Sequence, residues 1–508
     1  MRKSLNTKTL GLFFGPLLFV LILLFFHPVG LSKEANAILA STAWIAVWWI
    51  TEAIPIAVTS LLPIILFPLT GGLSLNQTTA SFGHRYIFLY IGGFILAIAI
   101  ERWNLHRRIA LNIINLIGTN VKRIILGFMA ATAFLSMWIS NTATTVMMLP
   151  IGMAIVSQLQ DNPATAENEN RTFGKVLMLA IAYSASIGGL ATLIGTPPNL
   201  VFAGIMEETY GIEINFAQWI QFGLPISLLL LVICWKYLTE VAYKFKQQAF
   251  PGGREEIKRQ LQALGRIGRE EKTVLAVFAA TAFLWIIRSP VQKFVETSCE
   301  SKEVYQPLFI AKFDDTIIAM MAGIVLFLLP AAPEKKRAII QWDEAVKLPW
   351  GILLLFGGGL ALAQGFKISG LAQWLGEQMT LAEGISVLML LLFIVTAVNF
   401  LTEITSNLAT TSMMLPILVL LAEAIDVHPY LLTVGATVAA SCAFMLPVAT
   451  PPNAIVFGSG YLKIPVMVRA GIWMNILSII ILTAFTFFLL PYLWDFDPAQ
   501  FPLDWERK

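Results

Sequence analysis

One stretch of eleven residues occurs twice in this chain and limits what the chain can fold into. It reads SNTATTVMMLP at 140–150 and SNLATTSMMLP at 406–416, so nine of the eleven positions agree. Each copy is followed by a second shared string, GTPPN at 195–199 and ATPPN at 449–453. Polar, helix-breaking strings that are duplicated inside apolar sequence are typical of a membrane transporter built from two related halves.

The composition places these strings in a membrane protein. Of the 508 residues, 57% are hydrophobic and 13% are charged. Soluble proteins carry roughly 25% charged residues. We therefore expect an all-α polytopic membrane protein that contacts the lipid bilayer. The net charge of +3 says little about partners, and we expect no nucleic acid among them.

Apolar runs long enough to cross ~30 Å of hydrocarbon predict about 11 transmembrane helices. Each half holds five of these spans after a leading span. With an odd number of spans per half, the halves insert in opposite directions, which is an inverted repeat. The predicted segments are the N-terminal span at 1–35, the first repeat at 36–236 (spans 2–6), the cytoplasmic linker at 237–272, the second repeat at 273–492 (spans 7–11) and the C-terminal tail at 493–508.

The two SN strings are predicted to be the tips of re-entrant hairpins at 122–158 and 388–423. The basis is the distribution of Lys and Arg, which favours cytoplasmic loops. With a cytoplasmic N-terminus, the basic stretches all fall inside only if each hairpin enters and leaves on one side. These stretches are 102–108, 122–123, 236–272, 335–337 and 463–469. The helical middle of the linker, 254–264, either lies on the membrane surface or is a solvated helix.

The residues at each break suit the start of a helix. Thr196 and Thr450 are N-cap types, and the proline after each suits the first helical position. The Ser-Asn pairs of the SN strings are capping types too. Four half-helix N-termini are therefore expected to converge, and their free N–H groups and positive dipole ends favour an anion. Because the strings contain no Lys or Arg, we expect amides, hydroxyls and dipoles to hold a carboxylate-bearing or sulfate-like substrate.

The same breaks release backbone carbonyl groups. Together with Ser and Asn oxygens, these carbonyls form small cages of the kind that bind Na⁺. An acidic residue, Glu403, lies three residues before Ser406 in apolar sequence. An acid in such sequence is a functional candidate. Glu403 either tunes the site or has a hydrogen-bonded or surface-facing role.

The paired SN strings, each followed by a TPPN string, resemble the divalent anion:sodium symporter family. The likeness extends from span 2 to span 11. It implies a scaffold domain and a transport domain, a homodimer, and an elevator mechanism of alternating access. It also implies sodium-coupled symport of C4-dicarboxylates such as succinate, malate and fumarate, in a bacterial inner membrane. A sodium-independent dicarboxylate exchanger and a citrate or sulfate carrier are the alternatives on the same fold.

The resemblance also implies site residues. It assigns two sodium ions, the first to Ser136, Ser140, Asn141 and the Gly195 carbonyl, and the second to Thr402, Thr405, Asn407 and the Ala449 carbonyl. It assigns the substrate to Asn141, Thr142, Thr196, Pro197, Asn407, Leu408, Thr450 and Pro451. Bacterial dicarboxylate members of the family typically have Thr as the third residue of both SN strings. Leu408 departs from that pattern, which leaves the identity of the anion open.

An enzyme is not expected. The sequence contains four histidines and neither the HExxH string of a zinc protease nor the GxSxG string of a serine hydrolase. It also lacks GxxxxGK[ST], the phosphate-binding loop that an ATP-driven pump would need. The sequence therefore indicates secondary transport rather than catalysis.

Overall fold

The structure, a computed structural model, describes residues 7–118, 120–160, 167–245, 253–299, 309–378, 386–502 and 505. Parts of the predicted N-terminal segment, linker and C-terminal tail therefore lie outside the described residues. Within them the chain is mainly helical, and an isolated bridge joins Pro330 to Ala338. The predicted all-α class is confirmed.

The described helices up to the linker correspond to the predicted N-terminal span and first repeat. They are α1 (Thr7–Phe25), α2 (Lys33–Thr51), α3 (Ile56–Thr59), α4 (Leu62–Thr70), α5 (Leu75–Ala80), α6 (Arg85–Arg102), α7 (Leu105–Ile117), α8 (Val121–Ser136), α9 (Asn141–Gln160), α10 (Glu167–Gly189), α11 (Pro197–Tyr210) and α12 (Phe216–Lys236). A π-helical turn, Tyr237–Ala242, extends α12.

The linker contains α13 (Gly253–Ala263), close to the predicted helix at 254–264. The second half then follows the order of the first. Its described helices are α14 (Arg269–Ser298), α15 (Asp315–Leu328), α16 (Trp342–Ala345), α17 (Trp350–Ile368), α18 (Leu371–Gln378), α19 (Val387–Leu401), α20 (Asn407–Ala424), α21 (Pro429–Ala440), α22 (Pro451–Phe457), α23 (Ile464–Ala484) and α24 (Leu490–Trp494).

Within the described ranges, 8 helical segments are long and apolar enough to cross a membrane. They include α1, α10, α14, α17 and α20. Shorter apolar helices, among them α15 and α21, supply further predicted spans, and α19 belongs to the second predicted hairpin. The count of about 11 spans stays a prediction, because several spans are assembled from short pieces.

The chain breaks at all four duplicated strings. The breaks separate α8 from α9, α10 from α11, α19 from α20, and α21 from α22. The predicted hairpins at 122–158 and 388–423 match α8–α9 and α19–α20 to within two residues at each end. The duplication therefore predicted where the helices are interrupted.

In the first half, α8 and α10 pack backbone against backbone. A Cβ on Gly188 would lie 2.3 Å from the carbonyl oxygen of Ala133, so only glycine fits there. This contact brings the end of α10 against the end of α8, where the first SN tip begins. The corresponding residues of the second half are larger, Cys442 and Asn399, and both are buried.

Ion pairs join the predicted cytoplasmic loops to one another. Each joins an Arg or Lys of one loop or helix end to a Glu of another. The pairs are Arg102–Glu344 at 2.7 Å, Arg108–Glu271 at 3.0 Å, Lys122–Glu240 at 3.2 Å and Lys335–Glu270 at 2.8 Å. These contacts place the start of the first hairpin on the same face as the linker, as the hairpin hypothesis requires.

A second charged network lies at the opposite end of α6. Arg85 contacts Glu207, at the end of α11, at 2.8 Å. The buried Arg288 lies 2.8 Å from Glu213 and 2.9 Å from Asp315. The network ties α6, α14 and α15 to the connection between α11 and α12.

Candidate transport site

An open cavity of ≈ 1070 Å³ lies where the four breaks meet. One wall comes from the repeated strings and the other from the end of α2, α3 and the start of α17. All eight residues predicted to bind substrate line this cavity: Asn141, Thr142, Thr196, Pro197, Asn407, Leu408, Thr450 and Pro451. The structure thus brings together residues that are up to 310 positions apart in the chain.

The helix starts around the cavity have the predicted backbone form. Thr196 and Thr450 are extended N-cap residues, and a proline follows each at the first helical position. Their hydroxyls differ, because Thr450 Oγ1 accepts a hydrogen bond from Asn453 N at 3.3 Å, whereas Thr196 makes no side-chain cap. Both threonines therefore take the N-cap position as predicted, and of the two only Thr450 adds a side-chain cap.

The SN tips show a similar difference. Ser140 Oγ accepts a hydrogen bond from Ala143 N at 3.3 Å, whereas Ser406 makes no side-chain cap. The start after Ser406 therefore leaves the N–H groups of 407–409 without a capping oxygen from the Ser406 side chain, whereas after Thr196 the first two residues are prolines and Asn199 N donates to Thr196 O at 3.2 Å. The N–H groups of 407–409 point out of the helix end, where an anion is stabilised.

In the first half, three oxygens lie close together behind the tip. Ser136 is fully buried, and its Oγ lies 2.6 Å from Asn141 Oδ1 and 2.7 Å from the Ala185 carbonyl oxygen. Gly189 leaves room for this group, because a Cβ there would lie 2.6 Å from Asn141 Oδ1 and 3.2 Å from the Gly195 carbonyl oxygen. The predicted ligands Ser136, Asn141 and Gly195 are therefore neighbours.

The second half repeats the arrangement. Thr402 is also fully buried, and its Oγ1 lies 2.8 Å from Asn407 Oδ1 and 2.9 Å from the Ala440 carbonyl oxygen. The hydroxyl of Thr405 lies 2.5 Å from Thr410 Oγ1. The first half has no equivalent of this last pair, because Ile139 occupies the position that corresponds to Thr405.

In each group, the hydroxyl has more acceptors within reach than its single proton can satisfy. A Ser or Thr hydroxyl carries one proton, yet Ser136 and Thr402 each lie within hydrogen-bond distance of two further oxygens. At any moment one carbonyl or carboxamide oxygen in each group receives no proton from that hydroxyl. A small cation that prefers oxygen ligands would satisfy all three oxygens at once.

The asparagines of the TPPN strings hold the breaks in shape. Asn199 Nδ2 donates to the carbonyl oxygens of Gly189 and Thr192 at 3.1 and 2.8 Å. Asn453 Nδ2 donates to those of Ala443 and Leu446 at 3.2 and 3.0 Å. Sequence reasoning assigned these asparagines no role, although their repetition was a signal that could have revealed one.

The remaining predicted sodium ligands lie at or near the cavity. Ser140, Asn141, Thr405, Asn407 and Ala449 line it. Ser136, Thr402 and Gly195 are buried and do not belong to its lining. Sequence reasoning missed the carbonyls of Ala185 and Ala440, since neither residue lies in a repeated string.

Two charged residues lie at the mouth of the cavity. Sequence reasoning missed Lys8, whereas Glu52 is, like Glu403, an acid in apolar sequence and therefore a functional candidate. Lys8 and Glu52 both line it, and Lys8 Nζ lies 3.3 Å from Glu52 Oε2. The wall beside them contains Pro349, which follows Glu344 of the Arg102–Glu344 ion pair by five residues. This part of the cavity wall therefore lies close in sequence to a residue that pairs with a basic loop.

Comparison with known proteins gives consistent matches over most of the chain. A family model described as the sodium:sulfate symporter transmembrane region matches residues 6–494. The sodium-dependent dicarboxylate transporter SdcS of Staphylococcus saprophyticus is 50% identical over 502 residues, which cover 98% of this chain and 94% of the relative. The protein of the same name from Staphylococcus aureus strain RF122 is 49% identical over 496 residues, covering 97% and 93%.

Two solved structures share the fold at low identity. MtrF of Neisseria gonorrhoeae, described as one of a class of antimetabolite efflux pumps, superposes with a TM-score of 0.57 at 13% identity, covering 94% of this chain and 98% of MtrF. The YdaH transporter of Alcanivorax borkumensis gives 0.54 at 13% identity, covering 81% and 86%. At this identity the likeness concerns the fold alone.

Proposed function

The chain belongs to the sodium:sulfate symporter family of divalent anion:sodium symporters, and from this premise we propose that it carries C4-dicarboxylates across the membrane together with sodium ions. The observation that carries the proposal is the pair of oxygen groups around Ser136 and Thr402. Each lies directly behind an SN tip whose Asn also lines the cavity. Cation and anion would therefore share Asn141 and Asn407.

The shared asparagines give a physical reason for coupling. A sodium ion bound to Asn141 Oδ1 fixes the carboxamide and turns its Nδ2 group away from the cation, where it can donate to an anion. The ion also adds positive charge beside a helix N-terminus that already favours anions. Sodium binding thus raises the affinity for the anion, and by reciprocity the anion raises the affinity for sodium.

The pseudo-symmetry of the cavity favours a substrate with two similar anionic ends. Its four helix starts form two pairs, one around Asn141 and Thr196 and the other around Asn407 and Thr450. Succinate, malate and fumarate offer one carboxylate to each pair. Sulfate has a single centre of charge, and citrate brings a third carboxylate toward Leu408, which offers it no hydrogen bond.

The proposal includes the rest of the transport cycle. We propose that the cavity opens toward the face of the basic loops, which we assign to the cytoplasm together with the N-terminus. Transport then requires the SN tips and TPPN breaks to move as one body past a scaffold that includes α2 and α17. We propose that this movement is of the elevator type and that the working unit is a homodimer in a bacterial inner membrane.

The test is uptake of labelled succinate by protein reconstituted into liposomes, with and without a sodium gradient. Wild-type protein is expected to accumulate succinate only with sodium, and Asn141→Ala and Asn407→Ala to lose uptake while remaining folded. Asn112→Ala is the matched control, because Asn112 lies outside the cavity and its Nδ2 donates to Arg108 O at 2.8 Å. Normal uptake by both tip variants would refute the site. Sodium-independent exchange, or a preference for citrate or sulfate, would refute the proposed activity and favour the corresponding alternative.

A further inference from the structure

The two halves of the chain differ at one buried acidic residue. Glu403 occupies the position that Met137 has in the first half, and it is 3% exposed. Its carboxylate accepts hydrogen bonds from the backbone N–H groups of 444, 445 and 446 at 2.8, 2.9 and 3.0 Å. Asn475 Nδ2 donates a fourth bond, at 2.7 Å. The hydrogen-bonded alternative for Glu403 is therefore confirmed.

The second break is longer than the first and needs this acceptor. In the first half, α10 continues to Gly189, and the N–H groups of Leu190 and Ala191 bond to carbonyls of the preceding turn at 3.2 and 3.0 Å. In the second half, α21 already ends at Ala440. The residues that follow leave the helical path, and the carboxylate replaces the carbonyl acceptors that the helix would have supplied. Buried N–H groups without any acceptor would be destabilising.

The carboxylate reaches the second predicted cation site through two hydrogen-bonding steps. Leu446 donates its N–H to Glu403, and its carbonyl accepts from Ala449 N at 3.2 Å and from Asn453 Nδ2 at 3.0 Å. Ala449 supplies the predicted carbonyl ligand of that site. Glu403 also adjoins Thr402, whose hydroxyl contacts Asn407. Glu403 is therefore linked to the second oxygen group twice, through Thr402, its neighbour in sequence, and through Leu446, which bonds to Ala449. In the first half, Met137 takes its place.

We propose that Glu403 is a positioning residue for the second sodium site and sets the sodium affinity of the second half. The inference rests on the proposed sodium-coupled function. Glu403 does not touch the ion. It holds the backbone at 444–446 so that the Ala449 carbonyl faces the cation, and it does so with both carboxylate oxygens. Glutamine keeps one acceptor oxygen, but its amide NH2 group cannot accept a hydrogen bond from an N–H donor. At least one of the four hydrogen bonds to position 403 is therefore lost.

The experiment compares Glu403→Gln with Asn399→Ala. Asn399 lies on α19, one turn before Glu403, and is equally buried. Its Nδ2 donates to Cys442 O at 2.7 Å and to Ser478 Oγ at 3.5 Å, so its hydrogen bonds go to other atoms than those of the Glu403 carboxylate. For each variant we would measure the sodium concentration for half-maximal succinate uptake, the succinate KM at saturating sodium, and the shift in Tm that sodium produces. At a given sodium concentration, sodium raises Tm more when the folded protein binds it more tightly, so the shift in Tm reports sodium affinity.

For Glu403→Gln we expect a rise of about tenfold in half-activating sodium, the effect of losing one charge-assisted hydrogen bond. The succinate KM at saturating sodium is expected to change far less. Asn399→Ala should lower Tm without sodium but keep the wild-type sodium requirement. If Glu403→Gln does not fold, Asn475→Ala takes its place. It removes one of the four bonds to Glu403 and also the Asn475 Oδ1 acceptor of Phe444 N at 3.2 Å, and we expect a shift in the same direction.

An unchanged sodium requirement in the Glu403 and Asn475 variants would overturn the inference. An equal rise in Asn399→Ala would also overturn it, because the effect would then reflect general stability. If wild-type protein itself shows neither sodium-dependent uptake nor a sodium-dependent Tm, the proposed function fails and this inference fails with it. If the wild-type protein depends on sodium but Glu403→Gln raises the sodium requirement no more than Asn399→Ala does, only this inference fails and the proposed function stands.

Discussion

Replacing Thr402 with valine removes one oxygen from the second cation group and almost nothing else. The two side chains have nearly the same shape, and Thr402 is fully buried. Its hydroxyl lies 2.8 Å from Asn407 Oδ1 and 2.9 Å from Ala440 O. We expect Thr402→Val to fold and to need more sodium for transport.

The magnitude follows from comparing the states with and without sodium. Without the ion, the substitution removes one neutral hydrogen bond, which contributes about 1 kcal/mol. With the ion bound, it removes a contact to a charge, which is roughly twice as strong. The difference, about 1 kcal/mol, corresponds to about a fivefold rise in half-activating sodium. Ser136→Ala should have a similar effect through the first group.

Thr411→Val is the matched control for this prediction. Thr411 lies on α20, is 1% exposed, and its hydroxyl donates to the Asn407 carbonyl oxygen at 2.8 Å. This is a bond within the helix and lies outside the predicted ligand set. The assay is succinate uptake by proteoliposomes across a sodium titration, with Tm measured for both variants.

Coinciding sodium curves for Thr402→Val and Thr411→Val would refute the reasoning. Such a result would mean that the hydroxyl of Thr402 holds the tip of the hairpin in place without contacting the ion. A loss of uptake at every sodium concentration, with the protein still folded, would contradict the estimate in the other direction. It would assign Thr402 a role in the movement of the hairpin.

Three further predictions test other parts of the structure. Leu408→Thr should change the ranking of succinate, malate, citrate and sulfate as competitors more than it changes the sodium curve; the reverse would place position 408 in the cation site. Single cysteines at Ser157 and Asp426, both exposed at hairpin ends, should react with impermeant reagents from opposite faces, and labelling from one face would contradict the inverted repeat. Arg288→Met should lower the free energy of unfolding by about 3–5 kcal/mol, because it leaves the buried Asp315 without its cation; an unchanged Tm would refute this, and adding Asp315→Asn should recover part of the loss.

The sequence predicted the breaks well because each leaves a strong local signal. A Ser-Asn pair or a TPPN string inside an apolar run conflicts with a continuous helix, and a second copy at matched spacing removes chance as an explanation. The structure places the ends of both predicted hairpins within two residues. It also brings all eight predicted substrate residues to one cavity.

Contacts between residues outside the duplicated strings could not be predicted in this way. The Ala185 and Ala440 carbonyls reach the hydroxyls of Ser136 and Thr402 from helices that begin well before those strings. Glu403 differs from its counterpart in the first half, so repetition gave no information about it. Its partners at 444–446 lie about forty residues away in a stretch without regular structure, and only the folded chain shows that they meet.

The two oxygen groups also imply a charge balance for the transported complex. Two sodium ions and a dicarboxylate dianion sum to zero, so the loaded site can pass the low-dielectric interior without the cost that an unpaired charge carries there. A site that has bound only sodium or only the dianion keeps a net charge, and moving it through the interior costs more free energy. Sodium and the dicarboxylate are therefore transported together. We therefore expect the accumulation of succinate to be independent of membrane potential imposed with potassium and valinomycin. One uncompensated charge would change accumulation about tenfold for about 60 mV, so a dependence of that size would show that the two proposed sites do not account for all the charge that moves.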